Sequence, residues 1–116
     1  MIIAIDFDDT LFEYVPAPPG TEDYSGRPGS IGRPNYPVLF QAKQRRAAGD
    51  KLILWTCREG KALNEAVEIC RLHGLEFDAV NRNLWETCVD GVWPDSRKVK
   101  ADEYWDDKAV KIRFPE

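Results

Sequence analysis

The chain of 116 residues is 43% hydrophobic and 31% charged, which fits one soluble globular domain large enough for a real core. Its 20 acids against 16 bases give a net charge of −4 and a pI near 5.1, which argues against nucleic acid or an anionic membrane as the main partner. One histidine and three scattered cysteines (Cys57, Cys70, Cys88) argue against a zinc site, a His-dependent triad or a disulfide framework, and a reducing cytoplasm is the expected compartment.

Residues 1–6 (MIIAID) are a continuous apolar run closed by an aspartate, the pattern of a strand buried on both faces of a parallel sheet. The run is too short for a membrane span and lacks the basic flank of a signal peptide. Residues 14–37 hold six of the eight prolines and four of the eight glycines, which excludes a central strand or a long helix there. A loop of this length in a small domain is usually functional or disordered, and 14–34 is read as a flap-like insertion in a single domain spanning 1–116. Asn35 is expected to cap a helix over 36–48, with Pro37 in its first turn and Gly49 as its stop.

Lys51–Thr56 (KLILWT) predicts a second buried strand. Gly60–His73 predicts an amphipathic helix with Leu63, Ala66, Val67 and Cys70 on its inner face, ended by Gly74. A short strand is expected at 77–80, a hairpin around Asp90-Gly91, another short strand at 101–105 and a final edge strand over 109–114. Strand, helix, strand, helix, strand implies right-handed crossovers and a mostly parallel sheet, a Rossmann-like three-layer α/β fold.

In an open parallel sheet, ligands bind beyond the carboxyl ends of the strands. Those ends carry Asp6, Asp8, Asp9 and Thr10, then Thr56, Cys57 and Arg58, then Asp106 and Asp107, with Lys98 and Lys100 just before the last strand. Crowded carboxylates resist full ionisation, and a hard cation such as magnesium relieves them. Such an ion would bring a phosphate dianion to a carboxylate nucleophile. A second carboxylate two residues on could protonate the leaving oxygen and then activate water, with a threonine hydroxyl and a lysine ammonium holding phosphate oxygens.

On these residues the chain resembles the haloacid dehalogenase (HAD) superfamily of phosphotransferases. Ile5–Leu11 (IDFDDTL) is similar to its first motif, Asp-x-Asp-x-Thr, and Leu52–Thr56 (LILWT) to its second. Lys98 stands where the third motif has its lysine, and Tyr104-Trp105-Asp106-Asp107 resembles the fourth. The motifs occur in family order over residues 5–107. The resemblance implies Asp6 as nucleophile, Asp8 as general acid/base, and Thr56 and Lys98 as phosphate ligands. It implies magnesium held by Asp6, Asp106, Asp107 and the backbone carbonyl of Asp8. Lys100 is the alternative to Lys98. Asp102 and Glu103, in place of the family's apolar residues, imply a solvated edge strand.

Other residues carry smaller expectations. Arg58 is either a contact to substrate phosphate or a surface ion pair. Asp9 is read as a solvated or capping residue, Thr10 as a brace on the loop backbone, and Cys57 as a space-filler. His73 suits a helix end, Asn81 and Asn83 the crevice wall, and Trp85 and Trp93 core or rim packing.

The expected activity is magnesium-dependent hydrolysis of a phosphomonoester through an aspartyl-phosphate. With only small inserts, the site would be open, which suits bulky substrates; the acidic pI argues against a long polyanion. A nucleotide, a sugar phosphate or a phosphoprotein surface fits. Bacterial receiver domains share the acidic magnesium pocket, Thr and Lys, but place the acidic pair first and the phosphorylated Asp second. The order here, Asp-x-Asp, Thr, Lys, Asp-Asp, favours the HAD arrangement. A non-catalytic HAD-like or receiver-like module that binds phosphate and magnesium is the alternative.

Overall fold

The computed structural model describes residues 1–16, 29–84 and 99–115. In chain order these form β1 (Ile2–Ile5), β2 (Phe12–Pro16), β3 (Gly29–Pro34), α1 (Tyr36–Ala47), β4 (Lys51–Leu54), α2 (Gly60–Leu72), β5 (Ala79–Val80) and β6 (Glu103–Trp105). Four strands make a parallel sheet in the order β5-β4-β1-β6, and β2 and β3 form a separate antiparallel pair. This is a mixed α/β fold with a mostly parallel sheet, compatible with a Rossmann-like arrangement.

The period of two in each strand decides the layers. Ile3 and Ile5 of β1 and Leu52 and Leu54 of β4 point to one face, where they pack with Leu39 and Ala42 of α1 and Ala66 and Cys70 of α2. Ala4, Ile53 and Ala79 point to the other, where Leu84 and Val99 cover them. Both helices of the described residues therefore contribute to the same core cluster. The helical third layer expected from the sequence is not seen among these residues: Leu84 and Val99 come from irregular chain. The predicted hairpin at Asp90-Gly91, the two tryptophans Trp85 and Trp93, Cys88 and Lys98 all lie outside the described residues.

The helices stop where short-range chemistry directs, but neither starts on a side-chain cap. Gly49 and Gly74 take φ of +102° and +82° just past the two helix ends, a conformation glycine adopts without a Cβ penalty. Asn35 makes no side-chain cap on α1. Its Nδ2 donates instead to the Thr10 carbonyl at 3.1 Å, and its backbone N–H donates to the Leu11 carbonyl at 2.8 Å. The helix entry is thus tied to the loop that follows β1.

The proline- and glycine-rich segment is not loop throughout. Its ends pair as β2 and β3, with a bulge between Phe12 and Tyr14. Gly32 is required there by close approach: a Cβ would come within 2.7 Å of Val15 Cγ2 and 3.0 Å of the Glu13 carbonyl oxygen. Arg33 bridges to Glu13 across the pair at 2.7 Å.

The predicted strand over 109–114 does not form. Lys108 N–H bonds Asp106 Oδ1 at 3.1 Å, an Asx-type turn that redirects the chain after β6. Val110, Ile112 and Phe114 are left 79%, 83% and 97% exposed. Alternation of apolar and basic residues needs a neighbouring ladder to become a strand, and none is present among the described residues. No helix among them is long and apolar enough to cross a membrane.

At the amino ends of the parallel strands, Asp50, Asp78, Asp102 and Glu103 each have a partner. Asp50 takes the Met1 ammonium at 2.9 Å and Arg45 at 2.6 Å. Glu103 takes the other side of Arg45 at 2.9 Å. Asp102 accepts the Ile2 N–H and Asp78 the Leu52 N–H, at 2.6 and 2.8 Å. Among the described residues β6 lies at the edge as expected, and Asp102 and Glu103 keep solvent access while also serving as structural ties.

Candidate functional site

The opposite end of the sheet is built from the residues that follow β1, β4 and β6. Asp6 leaves β1 with its N–H on the Trp105 carbonyl at 2.9 Å, so the chain after β1 and the chain after β6 run side by side. The backbone then coils tightly: N–H groups of Thr10, Leu11 and Phe12 all converge on the Phe7 carbonyl. Asp9, exposed and at φ +62°, accepts the Tyr14 N–H of β2 at 2.9 Å, which agrees with a solvated, capping residue. Thr10 does not brace the backbone with its hydroxyl; Oγ1 lies 3.4 Å from Asp6 Oδ2.

Asp6, Asp106 and Asp107 each offer a carboxylate oxygen, and these atoms all lie within 4.8 Å of one another. Partial burial, followed by the charge of Asp106 and then those of Asp8 and Asp107, pushes the Asp6 carboxyl up to about 6, against the pull of the Phe7 N–H. Asp107 is also raised, chiefly by its hydrogen bond with Asp106. The rise at Asp6 and at Asp107 marks a place where carboxylates are held together without enough compensating charge. An all-oxygen donor set of this kind can hold a hard divalent cation; it offers nothing to a thiophilic one.

Asp8 faces elsewhere. Its two oxygens accept from Arg58, from Nε at 3.0 and 3.2 Å and from Nη2 at 2.8 Å. Arg58 is only 5% exposed, and its guanidinium lies over the Phe7 ring at 5.0 Å. The structure therefore places Arg58 in a buried ion pair with Asp8, neither at the surface nor extended toward a ligand. Thr56 Oγ1 accepts the Arg58 N–H at 3.2 Å. Asn81, at φ +53°, accepts the Thr56 N–H at 2.8 Å and holds this loop from β5. Asn83 is buried and accepts the Lys100 N–H. Both asparagines act as brackets under the crevice rather than as its wall.

A cavity of about 300 Å³ is lined by Asp6, Asp8, Thr56, Asp106, Asp107 and, in addition, Asp9, Tyr14, Cys57 and Lys108. The chain thus brings six of the seven site residues named from the sequence to one end of the sheet, five of them on the cavity and Arg58 behind Asp8. The seventh, Lys98, lies outside the described residues, and its alternative Lys100 is exposed and does not line the cavity. Lys108 was missed, although it directly follows the Asp pair and the rule of strand carboxyl ends includes it. Cys57 is exposed at the cavity rather than filling space. A larger depression of about 940 Å³ adjoins, between α1 and β6, and shares Asp9, Asp106 and Asp107 with the smaller one.

The chain matches no family model and no curated protein. Among solved structures it is similar to a conserved protein coded by a locus from Bacteroides thetaiotaomicron. The two are 37% identical over 95% of this chain and 78% of that one, with a TM-score of 0.70. At that identity and coverage, on the same α/β scaffold, the chain belongs to the family of this conserved Bacteroides protein.

Proposed function

We propose that the chain is a magnesium-dependent phosphomonoester hydrolase of the HAD type, acting through an aspartyl-phosphate on Asp6. The observation that carries this reading is the meeting of Asp6, Asp106 and Asp107 within 4.8 Å, on a cavity that Asp8 and Thr56 also line. Asp6, Asp106 and Asp107, with the Asp8 backbone carbonyl by resemblance, are the residues to hold magnesium. When bound, it supplies the positive charge that lets a phosphate dianion approach a carboxylate.

The residues then divide the work. An Asp6 carboxylate oxygen attacks phosphorus, the ester P–O bond breaks, and Asp8 gives its proton to the departing oxygen. A water next gives a proton to Asp8 and attacks the same phosphorus; the bond to Asp6 breaks and phosphate leaves. Thr56, with Lys98 by resemblance, holds the phosphate oxygens as charge builds. Lys108, on the cavity wall, adds a further cation. The open depression beside the site suits a small phosphorylated substrate, a nucleotide or sugar phosphate, or a phosphoprotein surface, in a cytoplasmic setting.

Hydrolysis of p-nitrophenyl phosphate by the purified protein tests this directly. Turnover is expected with magnesium, none with excess EDTA, and recovery on adding magnesium back. A protein whose melting temperature rises with magnesium but which cleaves nothing across a broad panel of phosphate esters is a phosphate- and magnesium-binding module instead.

A further inference from the structure

We infer that Arg58 is a positioning residue for Asp8, fixing the carboxyl that exchanges a proton with the leaving group; the inference rests on the hydrolase reading above. Its basis is geometry. The two residues are 50 positions apart in sequence, yet three N–H···O contacts of 2.8 to 3.2 Å engage both Asp8 oxygens. A planar fork against a planar carboxylate fixes both the direction of the side chain and the rotation of its plane, which one ammonium cannot do.

Arg58 is itself held on several sides. Its guanidinium stacks over Phe7 at 5.0 Å, and Nη1 reaches the Ala62 carbonyl at 3.5 Å. Its backbone N–H donates to Thr56 Oγ1, and its carbonyl accepts from Asn81 Nδ2 at 3.4 Å. One residue therefore links the loop after β1, the loop after β4 and the start of α2. Stability alone is a weak reason for such a pair, because desolvating two charges offsets most of their attraction.

The pair also separates two functions. Asp8 lies close enough to Asp6 for its charge to act on that carboxyl. Without a fixed partner, Asp8 could swing toward the cation that Asp6, Asp106 and Asp107 are arranged to hold, and become one more ligand. Clamped by Arg58, it stays on the cavity wall, available to a departing oxygen.

Leaving-group dependence provides the test. Proton donation matters for phenyl phosphate, whose phenolate is a poor leaving group, and little for 2,4-dinitrophenyl phosphate, whose phenolate leaves unaided. With magnesium present, Arg58→Ala is expected to lose about 10²-fold in kcat/KM, which reports the steps up to departure of the phenolate, on phenyl phosphate but less than about tenfold on the dinitrophenyl ester. Added guanidinium should restore part of the phenyl phosphate rate. Arg58→Lys keeps the charge without the fork and should show the same imbalance at smaller size. If the alanine variant fails to fold, seen as no cooperative thermal transition, the lysine variant decides. Equal proportional losses on both esters overturn the inference and leave the hydrolase reading standing. A wild-type protein that cleaves neither ester overturns both.

Discussion

The two ends of the parallel sheet carry similar numbers of acids and treat them in opposite ways. At the amino ends, Asp50, Asp78, Asp102 and Glu103 are each taken up by Arg45, the Met1 ammonium or a backbone N–H. Arg45 holds the Glu103 and Asp50 carboxyls below their ordinary range. At the carboxyl ends, Asp6, Asp106 and Asp107 face one another, and Asp6 is pushed up to about 6. Gathering carboxylates in this way costs stability, a cost that a bound cation would offset. The contrast teaches that environment, rather than the count of acids, distinguishes a tie from a site.

The largest test of this contrast is Asp6→Asn. Removing the nucleophile should abolish turnover, a loss of at least about 10³-fold. The same change should alter stability in a direction opposite to most polar substitutions. In the metal-free protein the folded Asp6 titrates at about 6 against an ordinary value of 3.8, so between these pH values the folded state holds the proton that the unfolded chain has lost. Wild-type stability from this group therefore falls as pH rises through 4 to 6. Asp6→Asn lacks that fall and should be more stable at pH 7 in EDTA, by roughly 1 kcal/mol after allowing for solvent screening of this partly exposed carboxyl. Urea unfolding at a series of pH values measures it. A variant less stable than wild type at pH 7 would remove the case for strain at this end.

Asp8→Asn should come next. It removes the proton but not the cation cluster, so turnover should slow by about 10²–10⁴ while the magnesium-dependent rise in melting temperature persists. Loss of that rise would assign Asp8 to the cation site itself.

Arg45→Met, at the other end, should do least. It unties Asp50 and Glu103, so a small drop in melting temperature is expected, with kcat unchanged within error. The stabilisation these carboxylates give is present above pH 5 and is lost as pH falls through their lowered folded values, opposite in sign to Asp6. A large loss of activity in Arg45→Met would mean that the two ends are coupled.

Much of this was legible in the sequence because it depends on local pattern. Apolar runs marked β1 and β4, the helical repeat of Leu63, Ala66, Val67 and Cys70 marked α2, and the rule of strand carboxyl ends gathered Asp6, Thr56 and the Asp106–Asp107 pair. What was not legible depends on distant partners. Nothing near Arg58 announces Asp8, fifty residues away. The pairing of β2 with β3 rests on the missing Cβ of Gly32, which composition reads only as turn. The alternation at 109–114 looks like a strand, yet the turn at Asp106–Lys108 carries it off the sheet. Asn35 carries a helix-capping side chain but spends it on the Thr10 carbonyl.

Strand order has one more consequence. Among the described residues, β1 is hydrogen-bonded on both sides, whereas β6 is a three-residue strand joined to β1 alone. Asp6 therefore follows a strand held on both sides, and Asp106 and Asp107 follow one held on a single side, where local opening is easier. Whenever the edge detaches, two of the three acids of the cluster go with it, so the persistence of this centre depends on a short outer strand fastened at its far end by Asp102 and Glu103.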